Sequence, residues 1–446
     1  MNKSTYTVPC IYQKTAGPDA ASAKPVMVTV PGSKSITNRA MLLAVLADGV
    51  TDLSGALFCD DSRHFLQCVQ DLGFTAEADE DTRRIRINGL GGQLPSRQAS
   101  LYVGSAGTAA RFITALLGSA EGVYHLDASP QMRRRPMAPL LHALRSMGAE
   151  IHCEEKEGFF PFTITGHGFG SHRLSIDIDQ SSQFLSALLI AAVRSDQDIL
   201  IDTTGSHGMA YIAMTIRMME QFGVKVEILP GADGRPSSFR IPGRQTYRAC
   251  SYPIEPDVSA ACYFYAMAAL LGVSVLVEGV HLSSMQGDLK LLRILEQLGC
   301  HLADTAEGIL LTGPAEGRYP GITADMRSCS DQAITLAALA PFAQTPTRIT
   351  GIGHIRGQEC DRLAAMAAEL TRMGIRCEEE ADCITIWPGQ PRPAVIHTYE
   401  DHRMAMGFSL IGLRVPGIVI DNPGCCKKTF ENYFQVLEQT INALCL

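Results

Sequence analysis

The sequence lacks any C-x-x-C pair, and none of its 14 cysteines joins histidines at zinc spacing. Adjacent Cys425 and Cys426 make a poor metal frame. That absence excludes a structural zinc module and predicts reduced thiols, most of them in the core, in a cytoplasmic protein. Basic charge is also scarce. Lys and Arg number 38 against 46 Asp and Glu, a formal net charge of −8, which argues against unspecific nucleic-acid binding but leaves room for a local basic pocket. The first 25 residues hold no apolar run of the kind a secretory signal needs. Long hydrophobic runs are nearly missing as well. The one candidate, Val258–Val277, carries no charge for 20 residues, but Gly272 interrupts it. The pattern predicts a buried helix to Leu271 and then a strand over Val273–Val277, not a membrane span.

What is present is a long repeat. Gly73, Gly148, Gly223, Gly299 and Gly374 each follow an apolar residue at the end of a helical pattern, spaced by 75, 75, 76 and 75 residues. Each position suits a left-handed helix cap. Strand-like alternation follows Gly148 (Ala149, Ile151, Cys153) and Gly223 (Val224, Val226, Ile228). An amphipathic run over Tyr433–Leu444 supplies a sixth such helix. The 446-residue chain is therefore read as six copies of one unit of roughly 75 residues. Three units fall on each side of the proline-bearing segment Arg248–Pro256. Two short strands are expected at Tyr6–Tyr12 and Val26–Val30, with an exposed loop over Lys14–Lys24 between them. An N-terminal strand can complete the last unit of the other half, so the chain is expected to cross between two lobes twice. Such lobes can close on a ligand by a hinge motion.

Each unit also holds a strongly apolar helix followed by a strand: Ala40–Ala47, Ala109–Leu117, Phe184–Ala192, Ala260–Leu271, Ala333–Ala340 and Met404–Leu413. The segments that lead into these helices are small, polar or charged. In order they read PGSKSITNR (Pro31–Arg39), GSAGTAAR (Gly104–Arg111), DQSSQ (Asp179–Gln183), EPDVSAA (Glu255–Ala261), RSCSDQA (Arg327–Ala333) and YEDHRMA (Tyr399–Ala405). For any one of them, an ordinary N-cap is the plainer reading. Together they would make an anion site, because helix N-termini present N–H groups and positive dipole ends. Capping does not explain Lys34, Arg39, Arg111, His402 and Arg403, since cations oppose the dipole there.

Further cations lie at Arg133–Arg135, Arg356, Arg362, Lys427 and Lys428, and guanidinium forks suit phosphate and carboxylate oxygens. Asp331 and Glu359 stand near such cations in the sequence. Acids held beside cations are what proton transfer on an anionic substrate requires. Taken alone, Glu359 reads as a solvated helix-face charge paired with Arg362 three residues on.

The order of motifs carries more than any one of them. PGSKSITNRAMLLA, SAGTAAR, Arg135-Pro136, SSQFLSALL, EPDVSAA, MQGD, QECDR, YEDHRMAM and NPGCCKKTFENYF follow one another from about Val26 to Leu437. This order resembles the 5-enolpyruvylshikimate-3-phosphate synthases. The resemblance implies a two-lobed inside-out α/β barrel of six repeated units, three per lobe. The lobes would be 32–253 and 1–31 plus 254–446. It also implies transfer of the enolpyruvyl group of phosphoenolpyruvate to the 5-hydroxyl of shikimate 3-phosphate, with release of phosphate, as a step of aromatic amino-acid biosynthesis. By motif match Glu359 handles the proton at C3 of phosphoenolpyruvate, Asp331 takes the hydroxyl proton, and Lys34 stabilises charge in both steps, with His402 nearby. Phosphoenolpyruvate would be bound by Lys34, Gly107, Arg135, Gln183, Arg362, Arg403 and Lys428. Shikimate 3-phosphate would be held by Lys34, Ser35, Arg39, Ser181, Ser182, Gln183, Asp331 and Gln358. The implied chemistry needs no metal or organic cofactor, and the chain is expected to act as a monomer on small molecules, without nucleic acid or membrane.

Four positions depart from the family pattern. Ser105 replaces an asparagine, Gln358 a lysine and His354 an asparagine, while Gly208 stands where a serine is usual, with Ser206 two residues earlier and Tyr211 kept. Gly107 is kept at the position that the resemblance associates with glyphosate, so sensitivity is expected. Three other readings stand beside this one, the least favoured being a purely structural six-unit scaffold, against which the cations at helix N-termini speak. The same transfer onto UDP-N-acetylglucosamine is disfavoured by the D-H-R-M-A-M to K-T-F ending. A non-catalytic anion binder would not need Asp331 and Glu359 together.

Overall fold

The computed structural model describes residues 4–12, 24–205, 207–232 and 234–445. Apart from Lys24, the loop expected at Lys14–Lys24 lies outside these residues, as does Ser206. The chain divides into two compact units, 1–31 with 255–446 and 32–254.

The repeat glycines set the length of each outer helix. All five have positive φ, between 80° and 105°. After each, the next amide donates to the carbonyl five residues back: Phe74 to Val69, Ala149 to Leu144, Val224 to Met219, Cys300 to Leu295 and Ile375 to Leu370, at 2.9–3.2 Å. This bond closes a Schellman cap, and a Cβ would oppose the left-handed conformation it needs.

Each repeat is a small sheet with a helix crossing over it. Residues 32–254 hold three four-stranded sheets; the other unit holds two of four strands and one of three. Every sheet contains one parallel pair, and a parallel pair requires a crossover. Helix Gly107–Gly118 links the parallel strands Gln98–Tyr102 and Glu121–Asp127, and helix Ser182–Ala192 links Arg173–Asp177 to Ile199–Thr204. Helices Ala333–Leu339 and His402–Gly412 do the same in the other unit.

Two sheets borrow their parallel partner from far along the chain. Ser251–Pro253 pairs with Asp52–Ser54 next to helix Lys34–Leu46, and Val26–Val28 pairs with Val275–Val277 next to helix Val258–Leu271. That exchange is why the chain passes between the units after Pro31 and after Ile254. Of the strand expected at Tyr6–Tyr12, only Tyr6–Thr7 pairs, antiparallel to Val419–Ile420 of the last repeat.

The crossover helices form the core. Every residue of Gly107–Gly118 is buried, and so are all but one of Val258–Leu271, which is how a mostly apolar helix is accommodated in a globular chain. Gly272 ends the second of these at φ +71° and strand Ser274–Glu278 follows. Among the described residues no helix is long and apolar enough to cross a membrane. Seven of the 14 cysteines are buried, six half-buried and Cys445 exposed. The alternation expected after Gly223 stops at Val224. Ile228 is 48% exposed, because Glu227–Pro230 is the outer strand of its sheet and has a neighbour on one side only.

Candidate active site

The crossover helices begin earlier than their apolar runs. Lys34–Leu46, Gly107–Gly118, Ser182–Ala192 and His402–Gly412 take the polar motif residues into their first turns. Capping divides them. Ser181, Asp257 and Asp401 accept bonds from the backbone N–H of Gln183, Ala260 and Arg403, whereas the starts at Lys34, Gly107 and Ala333 have no side-chain cap. The plainer reading therefore holds at three of the six starts; the starts at Lys34 and Gly107 lack a side-chain cap, and at Ala333 a preceding 3-10 turn takes up the N–H groups, the Ala333 amide donating to the Ser330 carbonyl.

In the unit 32–254, Lys34 opens its helix and pairs with buried Asp61 at 3.4 Å. Ser35 offers its carbonyl to Arg39, whose guanidinium also donates to Thr215 at 2.8 Å and, at 3.4 Å, to Ser186 and the Tyr211 carbonyl. Arg39 is buried between the aromatic rings of Phe112 and Tyr211, and burial pulls its pKa down to about 10. It ties the start of its own helix to helices Ser182–Ala192 and Met209–Gln221.

Gly107 leaves room for two arginines. A Cβ there would stand 2.7 Å from Arg135 Nη1 and 3.1 Å from Arg111 Nη1. Arg111 donates to the Gly107 and Pro136 carbonyls, so it ties the loop bearing Arg135 to the helix start. Arg133 is engaged elsewhere, by Asp127 and Glu155, and Arg134 is exposed. Gln183 donates to Thr108 at 3.4 Å and joins the second and third helix starts. Gly208 has φ +67°, and a Cβ there would stand 2.3 Å from Ser182 Oγ. A serine at 208 would be strained at this φ and would require the Ser182 side chain to shift.

In the other unit, a buried ionic cluster joins three elements. Arg362 is 2% exposed and donates to three carboxylates: Asp401 through Nε at 2.7 Å and Nη2 at 3.2 Å, Asp331 at 3.1 Å and Glu359 at 2.9 Å. It also donates to Gln358 Oε1. Burial opposes the Arg362 cation, but Asp401, Glu359 and Asp331 outweigh it and raise its pKa. Arg403 donates to Asp331 at 2.7 Å and to the Tyr263 hydroxyl at 3.5 Å. Lys428 Nζ lies 3.0 Å from Glu359 Oε1. His402 Nδ1 is 3.7 Å from Asp401 Oδ1.

The reading of Glu359 as a solvated helix-face charge is overturned. Its side chain is 10% exposed and held between Arg362 and Lys428, because it precedes the helix Arg362–Arg372 instead of lying on a helix face, and both of its cationic partners are themselves buried. His354 donates to or accepts from Ser330 at 2.7 Å, and burial lowers its pKa despite Asp331 and Asp382. Lys427 is exposed, and Arg356 pairs with Asp361 and Glu379. Neither joins the cluster.

Three cations (Arg362, Arg403 and Lys428) thus meet three carboxylates (Asp331, Glu359 and Asp401) in mutual contact. Such a set can exchange an internal carboxylate for an anionic ligand, and it offers two acids beside the cations. The model of the family described as EPSP synthase (3-phosphoshikimate 1-carboxyvinyltransferase) matches residues 22–437. The chain belongs to this family.

Its relatives agree. The chain is 44% identical over 417 residues to the 3-phosphoshikimate 1-carboxyvinyltransferase of Nostoc punctiforme, covering 92% of this chain and 96% of that protein. It is 37% identical to the chloroplastic enzyme of Brassica napus, covering 92% and 82%. The solved EPSP synthase of Acinetobacter baumannii superposes with a TM-score of 0.79 at 25% identity over 98% of each chain. The enolpyruvyl transferase NikO of Streptomyces tendae, 16% identical with a TM-score of 0.70 over 93% and 94% of the chains, shares the fold.

Sequence reasoning missed several members of these clusters. Asp401 lies inside the YEDHRMA motif but was given no role, although an acid before a helix start invites the capping it performs. Asp61 and Tyr263 carried no local signal, since only packing brings them to Lys34 and Arg403.

Proposed function

We propose that the chain is a 3-phosphoshikimate 1-carboxyvinyltransferase: it transfers the enolpyruvyl group of phosphoenolpyruvate to the 5-hydroxyl of shikimate 3-phosphate and releases phosphate. The observation that carries the reading is the buried set of Asp331, Glu359, Arg362, Arg403 and Lys428 in a chain of this family. Protonation of C3 of phosphoenolpyruvate makes C2 cationic, the 5-hydroxyl adds to C2, and the tetrahedral adduct loses a methyl proton and phosphate. Glu359 carries the proton to and from the methyl carbon. Arg362 and Lys428 each hold one of its oxygens. Asp331 accepts the hydroxyl proton, with Arg362 and Arg403 fixing its two oxygens. Lys34, Gly107, Arg135, Gln183, Arg362, Arg403 and Lys428 bind phosphoenolpyruvate, and His402 supports the start of the helix that carries Arg403. Ser35, Arg39, Ser181, Ser182, Gln183 and Gln358 serve shikimate 3-phosphate; Arg39 does so by holding the start of its own helix in place, and Gln358 brings no charge where a lysine is usual. The chain acts as a cytoplasmic monomer and needs neither metal nor organic cofactor.

The test is phosphate release from phosphoenolpyruvate with shikimate 3-phosphate or UDP-N-acetylglucosamine as acceptor. Release that depends on shikimate 3-phosphate, with the carboxyvinyl product seen by mass, is expected. Release with the sugar nucleotide, or binding without turnover, would overturn the assignment.

A further inference from the structure

Asp288 ends the MQGD stretch and has no part in the scheme above, yet it is one of the most deeply buried acids of the chain, 3% exposed. Its Oδ2 accepts from Ser259 Oγ and, at 2.8 Å, from Gln332 Nε2. Gln332 is fully buried, its Oε1 accepts from Thr335 at 3.0 Å, and it is the residue next to Asp331. The chain Ser259–Asp288–Gln332–Thr335 therefore clamps the backbone that carries Asp331 to the start of helix Val258–Leu271. The charged and titratable groups facing Asp288 are Asp331 and Arg403, with Cys262, Cys329, Asp257 and Lys290 around them. Asp331 in turn faces Arg362, Arg403, Tyr263 and His354.

We propose that Asp288 is a positioning residue for enolpyruvyl transfer: through Gln332 it seats Asp331, and its negative charge keeps Asp331 a stronger base than Arg362 and Arg403 alone would leave it. This rests on the reading of Asp331 as the base. The two arginines favour the ionised, weakly basic form of Asp331, and a second carboxylate behind it acts in the opposite sense. In this role Asp288 acts on the reaction through Gln332 and Asp331 and exchanges no proton with a substrate. Burial, and then Asp331, push the Asp288 carboxyl up from 3.8 to about 6. Below that pH it is neutral and its effect on Asp331 is lost.

The experiment compares kcat of wild type and Asp288→Asn across pH, with the full chain and both substrates. A protonated aspartate and an asparagine carry the same charge, so the two rates should converge at low pH. The ratio of wild type to variant should rise through about pH 6. It should reach about 3–10 on the plateau, the size of a modest change in base strength. KM for both substrates should stay within about twofold, as expected for a group that acts through Asp331. A ratio that is flat with pH, or a loss carried by KM, would overturn the proposal. Loss of a buried charge should not lower the melting temperature at pH 8, where that charge opposes folding. Should Asp288→Asn fail to fold, Gln332→Met carries the test. Removing a donor from the carboxylate raises its pKa, so the inflection in kcat should move above about pH 6; an unmoved inflection overturns the proposal. Asp331→Ala separates the two readings. If it retains turnover, the assignment of Asp331 fails; if it is inactive while the ratio is flat, only the role of Asp288 fails.

Discussion

Gly107 acts by what it omits. The space where its Cβ would stand is bounded by Arg135 and Arg111, so an alanine must displace a guanidinium that we assign to phosphoenolpyruvate. Gly107→Ala is expected to raise KM for phosphoenolpyruvate roughly tenfold, about 1.4 kcal/mol, with kcat changed less. Inhibition by glyphosate, expected for wild type, should weaken in parallel. Steady-state kinetics in both substrates check this, and an unchanged KM would show that Arg135 moves aside at no cost. At this scale the sequence marked which residue types matter but not their surroundings. The i,i+3 spacing of Glu359 and Arg362 was visible, and in isolation such a pair is weak. Only burial with Lys428 and Asp401 made it part of a buried ionic set.

Helix starts carry the site, and they were the elements hardest to delimit. The apolar runs predicted helices from Ala40 and Met404, whereas the helices begin at Lys34 and His402. Residues such as Lys34, Ser35 and Arg403 break the amphipathic pattern because they serve a ligand and not the core, so the periodicity fades where function begins. Asp401 shows how cap and cluster coincide. It accepts the N–H of Arg403 and holds Arg362 by two bonds. Asp401→Ala should therefore cost about 3–5 kcal/mol, since it leaves a buried guanidinium without its main partner. Ser181→Ala, which removes a cap alone, should cost about 1 kcal/mol. Denaturant unfolding of both variants, compared with wild type, measures the difference; equal small losses would mean that Glu359 and Asp331 suffice to hold Arg362.

For the whole molecule, the prediction is linkage between ligand and folding. Shikimate 3-phosphate at about 100 times its Kd should stabilise the chain by about 2.7 kcal/mol, a rise in melting temperature of roughly 3 °C for a chain of this size. UDP-N-acetylglucosamine at the same concentration should leave the melting temperature unchanged. A shift with the sugar nucleotide in place of shikimate 3-phosphate would reassign the acceptor.

The sequence by itself determined the period, the glycine caps, the crossover helices and the family. Each of these is written in local pattern: a Schellman cap needs glycine at one position, and a helix buried on all sides is mostly apolar, with polar groups such as Arg111 only where hydrogen bonds meet them. Val26–Val28 was legible as a strand and Ser251–Pro253 was not, and the partners of both were visible only as an expectation that the chain crosses twice, because pairing between distant segments leaves no local trace. The tertiary structure alone decided which charged groups meet. Asp61 against Lys34, Tyr263 against Arg403 and Asp288 against Gln332 are contacts across long sequence separations. Their strength comes from exclusion of water, which no linear spacing encodes.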